Sequence, residues 1–438
     1  MANIALHTRP CFCAATMTLK PPWRDVALIA AGAAGGALLT LLARRERKEA
    51  LCWPTARVEA APPDAPPAVQ DALAKKAAMQ QQMTSHLRGA VVMAMVYLGD
   101  QLGLYKTLSS ERPGRGPGWT ASRLAKAAGN LSPRLVQEWL SQQAAAGLVD
   151  FNETAQTFSL TAHGALLLAE NLSGSFMAPY ATLMLACYKR LPSMMQAFRG
   201  GCLAPTYDEA GEDLADAMAR LHVPEVKFFF IPKVIPEVQN GALLKRLQEG
   251  AICADVGCSG ADCTLELAQA FPKSKFYAYE VAEPALERAR DNIKRLGIAN
   301  VIVVDAKVQP LGSGPPDGGK FDFVMCYDVL HDLAEPEKMM QEVRDVLHPD
   351  GVWVVVDIAS EGDAQANIKK HPGAAAYYGI SVCLCLPSGL SVEGGRGLGT
   401  LGFPVDVAEP MFRSNGFSKV RNFRMPTLEK NQVYELQL

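Results

Sequence analysis

From residue 251 onward the chain alternates strand, loop and helix, and few folds accommodate that pattern. AICADVG (251–257), KFYAYE (275–280), NVIVVDA (300–306), FDFVMCYDVL (321–330) and GVWVVVDIA (351–359) read as strands. Between them ADCTLELAQAFP (261–272), PALERARDNIKRLG (284–297) and PEKMMQEVRDVL (336–347) read as helices, the first two closed by Pro272 and Gly297. Strands this apolar are buried on both faces, as in a parallel sheet covered by helices. Such sheets bind ligands past the carboxyl ends of their strands, at the point where strand order reverses.

The residues at those ends carry chemistry. Asp255 closes the first strand, and Gly257-Cys258-Ser259-Gly260-Ala261 turns into the helix. The second strand ends in Glu280, 23 residues after Gly257, where a carboxylate can accept from both hydroxyls of a ribose. The third ends in Asp305-Ala306, where an acid can take an adenine amino group. A dinucleotide oxidoreductase is the rival for this sheet. Its pyrophosphate needs three glycines and a free helix N-terminus, and here Asp262 sits in that first turn.

Ahead of this domain stands a smaller unit. Residues 84–108 read as a long amphipathic helix ending near Gly103, or as two helices broken there. ASRLAKAAG (121–129) and SPRLVQEWLSQQAAAG (132–147) read as two helices, the second with Ser132 as N-cap and Pro133 at its first position. GLVDF and TFSL then flank NETAQ as a hairpin. Helices followed by a hairpin form a winged helix. A DNA-reading version presents cations on its second helix, but here that helix carries only Arg134 and Glu138. The net charge of −2 also gives no basic excess for phosphate neutralisation, so no nucleic-acid partner is expected.

The segments DVGCSGADCTLELAQAFP, KFYAYEVAEPALERAR, VVDAK and FDFVMCYDVLHDLAEPEKMMQEVRDVLHPDGVWVVVD resemble the class I S-adenosylmethionine-dependent methyltransferases. With the winged helix in front, residues 80–438 resemble the plant-type small-molecule O-methyltransferases and their relatives. The resemblance implies an α/β fold: a Rossmann-like, seven-stranded methyltransferase domain, ending in an antiparallel hairpin and preceded by an α-helical winged-helix domain. It implies S-adenosyl-L-methionine as cofactor, held by Asp255, Gly257, Ser259, Glu280, Asp305, Ala306 and Tyr327. It implies His331, in Leu330-His331-Asp332, as the base that removes a proton from a small-molecule acceptor, and a homodimer formed through the winged helix. An unperturbed imidazole suits proton removal at neutral pH. One departure stands out. Where the family shows G-x-G-x-G, this chain has Gly257, Ser259 and Ala261; a register shifted by one residue would use Gly260 instead.

The expected reaction is methyl transfer to a hydroxyl, thiol or thioether. The alternatives are a cofactor-less scaffold, motivated by the altered turn, and a winged-helix DNA-binding regulator. Eleven cysteines without Cys-x2-Cys spacing give no structural zinc site, and no metal is expected. Tyr377, Tyr378, Cys383 and Cys385 lie in AAAYYGISVCLCLP (374–387), expected as a helix over the pocket, with the cysteines as unreactive core.

The expected domains are 1–70, 71–175, 176–248 and 249–438. The first contains Val26 to Ala43, eighteen uncharged residues followed by RRERK. At about 1.5 Å per residue that run just spans a bilayer core. It reads as a single-pass membrane anchor, with a plastid or mitochondrial targeting peptide as the alternative. Residues 54–68 hold five prolines and read as an extended linker.

Overall fold

The computed structural model describes residues 65–111, 116–170, 174–200 and 211–438. The chain falls into two units, Met1–Leu87 and Arg88–Leu438. In the first unit the described residues open helix α1 (Pro67–Gln101), where Lys75 pairs with Asp71 at 2.8 Å. The membrane anchor is corrected here: among the described residues no helix is long and apolar enough to cross a membrane. The run 26–43 that prompted it lies outside the described residues, as does the targeting-peptide reading.

In the second unit Gly103 takes a left-handed conformation (φ 64°) and separates α1 from α2 (Leu104–Ser109). Next come α3 (Ala121–Ala127), α4 (Pro133–Ala145), the hairpin β1 (Asp150–Asn152) and β2 (Thr157–Ser159), and α5 (Ala162–Leu168). Thr120 caps α3 by accepting from the Arg123 N–H at 3.3 Å. Ser132 has an extended backbone before α4 but makes no capping bond; Pro133 sets the first turn alone. Tyr105, Leu124, Trp139, Leu140 and Phe158 share one core, and Trp139 donates to the Met95 carbonyl at 2.9 Å. On α4, Arg134 pairs with Glu138, so the helix offers no net cation outward.

Two helices lead to the sheet, α6 (Pro179–Phe198) and α7 (Glu212–Glu225). Arg220 on α7 makes a bidentate pair with Asp100 of α1, both bonds 2.7 Å, tying the winged helix to this connector. Pro224, Pro232 and Pro236 withhold backbone donors, and the helix widens after Glu225 into a π-helical stretch, Val226–Val234.

The sheet domain opens with α8 (Ala242–Glu249), β3 (Ile252–Val256), α9 (Asp262–Ala270), β4 (Lys275–Glu280), α10 (Glu283–Leu296) and β5 (Val301–Asp305). It continues with β6 (Phe321–Tyr327), α11 (Pro336–Val346), β7 (Leu347–Ile358), α12 (Ala364–Lys370), α13 (Ala374–Cys383), α14 (Cys385–Gly389), α15 (Val405–Ser414), β8 (Lys419–Arg424) and β9 (Asn431–Gln437). The seven strands run β5-β4-β3-β6-β7-β9-β8. β3 to β7 are parallel, and β8 and β9 are antiparallel. Cores fill both faces: Phe276, Met325 and Val354 on one, Tyr277, Val324 and Trp353 on the other. The order reverses between β3 and β6, so the carboxyl ends of those two strands frame the site. The segment 374–387 is two helices rather than one, broken at Leu384.

Candidate active site

The turn after β3 settles the register question. Gly257, Ser259 and Ala261 all have positive φ, at 75°, 50° and 57°, whereas Gly260 does not. The left-handed positions therefore fall at 257, 259 and 261, and the shift onto Gly260 does not occur. A side chain in that region costs roughly 1–2 kcal/mol, so Ser259 and Ala261 hold strain that glycine would lack. Gly257 is constrained further, since a Cβ there would stand 2.8 Å from Val329 Cγ2.

Glu280 locks this turn. Its Oε2 accepts from the Ser259 N–H at 2.8 Å, and its Oε1 accepts from the N–H groups of Val281 and Ala282 at 2.7 and 3.0 Å. A carboxylate offers about four acceptor positions, so one remains for a ligand. Asp305 lies opposite Glu280 in register, and the Ala306 N–H donates to the Glu280 carbonyl at 2.8 Å. Asp305 Oδ1 accepts from the Lys307 N–H at 2.9 Å. Asp255 is buried and accepts from Thr264 Oγ1 at 2.5 Å. Burial outweighs that bond and, with Glu280 nearby, pushes its carboxyl up to about 6.

Asp255, Gly257, Ser259 and Tyr327 line one cleft of about 380 Å³, together with Met218, His222 and Asp262. Glu280 reaches it through the Ser259 N–H, while Asp305 closes the strand pair opposite Glu280, Ala306 follows it, and neither lines the cleft. Tyr327 does not present a free hydroxyl: it donates to Glu225 Oε2 at 2.9 Å and accepts from Asn431 Nδ2 at 3.0 Å. Lys430 pairs with the other oxygen of Glu225.

A second cavity lies beside the first and is lined by Tyr180, Leu183, Tyr377 and Ile380, together with His331. His331 is 2% exposed and sits in a short helical turn, Leu330–Asp332. Its Nδ1 stands 2.6 Å from Asp357 Oδ1, which also accepts from the Ile358 N–H at 2.7 Å. Its Nε2 stands 3.3 Å from Asp332 Oδ1. Burial alone would lower the imidazole pKa, but Asp357 and Asp332 outweigh it and raise it well above 6.5. The expectation of an unperturbed ring is thus corrected: the carboxylates of Asp357 and Asp332 on either side of His331 favour its protonated form. Asp332 is pushed up to about 6, mainly by burial.

Sequence reasoning missed several groups here. His222, at 3.2 Å from Asp328 Oδ2 and with its ring 5.1 Å from that of Tyr327, lines both cavities. Glu225, Asp357 and Lys430 were missed as well. Buried carboxylates inside apolar runs, as in VVVDIA, were the available signal. Cys385 is buried at the cavity edge, and burial pushes its thiol up to about 12, in keeping with an unreactive cysteine. Cys383 departs from that expectation, since Cys187 beside it lowers its thiol pKa.

A reversing parallel sheet, a left-handed turn after β3 and acids closing β3, β4 and β5 define a class I methyltransferase domain behind a winged helix. The comparisons agree: residues 247–394 match the methyltransferase domain family, and residues 90–170 match the Rv2258c-like winged HTH domain family. The chain thus carries a class I methyltransferase domain, whose cofactor is S-adenosylmethionine.

Solved structures share the whole arrangement. Mitomycin 7-O-methyltransferase superposes with a TM-score of 0.56 at 16% identity, covering 83% of this chain and 99% of that one. Human N-acetylserotonin methyltransferase, solved with S-adenosylmethionine, gives 0.53 at 14% identity, covering 86% and 99%. At such identities the likeness is one of fold. Malonyl-[acyl-carrier protein] O-methyltransferase of Geobacter sulfurreducens is 29% identical over 132 residues, 30% of this chain and 46% of its own length. The chain spans less than half the length of the curated relatives it matches.

Proposed function

We propose that this protein transfers a methyl group from S-adenosylmethionine to a hydroxyl or thiol of a small molecule. The observation that carries this reading is the shared wall. Met218 and His222 line both the cleft at the Gly257–Ala261 turn and the cavity around His331. A donor in the first and an acceptor in the second meet across that wall, and the sulfonium needs little beyond such in-line placement. The donor side is Asp255, Gly257, Ser259, Glu280, Asp305, Ala306 and Tyr327. Tyr327 acts through its ring, since its hydroxyl is committed to Glu225. The acceptor loses its proton at the Nε2 side of His331, where Asp332 and Cys385 stand.

The test is calorimetric titration of the full chain with S-adenosylhomocysteine, followed by a radiolabelled-methyl assay across phenols, alcohols and thiols. Micromolar binding and label transfer are expected. A folded protein that binds no S-adenosylhomocysteine overturns the reading in favour of a scaffold.

The reading extends to a homodimer. Val91 and Leu98 near the end of α1, and Leu102 just after it, expose apolar side chains, and a second copy of this chain would cover them. Light scattering on the L98E variant tests this: loss of a dimeric mass supports it, and a monomeric wild type overturns it.

A further inference from the structure

We propose that His331, Asp332 and Cys385 form a three-ligand site for a zinc-class divalent metal ion, with its fourth position open to the acceptor cavity for a thiol. This rests on the methyl-transfer reading of that cavity for its purpose, but the site itself stands on its own geometry. His331 Nε2, an Asp332 oxygen and Cys385 Sγ lie within 4.8 Å of one another. Zinc bonds of about 2.0–2.3 Å in a tetrahedron separate neighbouring ligand atoms by about 3.3–3.8 Å. The 3.3 Å between Nε2 and Asp332 Oδ1 falls there. That oxygen is shielded from solvent yet has no hydrogen-bond partner, so despite its nearness to Nε2 it is not satisfied by the ring.

The surroundings are those of a ligand set. Asp357, 1% exposed, engages Nδ1 at 2.6 Å, which orients the ring with Nε2 toward Asp332 and Cys385, where a metal ion would take the place of its proton. A carboxylate behind a histidine in this way orients it as a metal ligand and raises its basicity. Thr400 Oγ1 donates to Cys385 Sγ at 2.9 Å, which fixes the position of the sulfur. Asp328 and Asp357 flank the opposite nitrogen and form a second grouping of potential ligands. There the 2.6 Å contact is a hydrogen bond, too close for two ligands of one ion. The Nε2 side is therefore the site. Mixed nitrogen, oxygen and sulfur donors with an open position suit zinc.

The ion would activate an acceptor thiol at its open position. An acceptor thiol coordinates and releases its proton to solvent. The metal-held sulfur pair then forms the new S–CH3 bond as the donor's sulfonium–CH3 bond breaks, its electrons remaining on S-adenosylhomocysteine. The product thioether is a poor ligand and leaves.

The experiment is titration of the chelator-treated full chain with Co2+, then displacement by Zn2+, with S-adenosylhomocysteine binding measured on the same samples. The expected result is one equivalent of Co2+ with a thiolate-to-metal charge-transfer band. The band should vanish in C385S, while D357N, which leaves all three ligands in place, should bind roughly 10–100-fold more weakly. Circular dichroism establishes that each variant is folded. A folded wild type that binds no Co2+, or a band that survives in C385S, overturns the site. S-adenosylhomocysteine binding without metal overturns the site and leaves the methyl-transfer reading standing. Metal binding without S-adenosylhomocysteine supports the site and removes that reading.

Discussion

The donor cleft and the acceptor cavity share a wall but are built on different principles. The donor side is made of backbone: three left-handed residues, a strand-end acid holding three N–H groups, and contacts drawn largely from residues 255 to 306. The acceptor side is made of buried charges from distant positions, His222, Glu225, His331, Asp332, Asp357 and Lys430. Backbone geometry tolerates replacement of glycine by serine at a cost of strain. A buried charge network does not tolerate removal of one partner, because the others are left uncompensated.

The largest expected effect tests the acceptor side. H331A should lower methyl transfer roughly 10²–10⁴-fold while leaving S-adenosylhomocysteine affinity nearly unchanged. Single-turnover rates and calorimetry on the same preparation separate the two. A variant that keeps most of its rate would point to an acceptor with no proton to lose, a thioether, and would sink the role given to His331.

The converse variant is E280Q. Hydrogen bonds to a charged group are worth about 1.5–3 kcal/mol, and a glutamine amide would face N–H groups that already donate to Glu280. Affinity for S-adenosylhomocysteine should fall about 10–100-fold. Equal losses in both properties for both variants would erase the distinction between the two sides.

The same contrast governs what the sequence revealed. The strands, their helices and the donor residues were legible because they follow short spacings: Asp255 ends a strand, Gly257 follows by two, and Glu280 closes the next. The terminal hairpin and the winged helix were legible for the same reason. His331 was found through a local triplet, but its carboxylate partner was not, because Asp357 lies 26 positions away and reaches it only when β6 and β7 pair. His222 carries no local mark at all, standing in an amphipathic helix that only the tertiary fold brings to the strand ends. The break of 374–387 at Leu384 was hidden by uniform apolarity, which gives no period to read.

Within the turn itself, three substitutions should separate by sign. G257A places a Cβ 2.8 Å from Val329 at φ 75°, and should destabilise by about 1–3 kcal/mol. S259G and A261G relieve left-handed strain but loosen the unfolded chain, so each should stabilise by up to about 1 kcal/mol. Urea midpoints measure all three, and a loss in S259G as large as that in G257A would show that Ser259 contributes a contact that outweighs its strain.

The effect most confined to the donor side is one of pH. Asp255 holds its proton up to about pH 6 when folded, against an ordinary value of 3.8. Between those values the folded chain binds the proton and the unfolded chain does not, so stability falls as pH rises. The stabilisation from this group is about 3 kcal/mol, present in full below pH 4 and lost above pH 6. D255N carries no titrating group, so its stability relative to wild type should improve by about that amount from pH 4 to pH 7. Denaturant unfolding of both proteins across that range gives the difference directly, free of the other carboxylates that titrate in both. A difference that stays flat would mean that Asp255 is ionised throughout, held by Thr264, and that the donor cleft carries one more fixed negative charge facing the sulfonium.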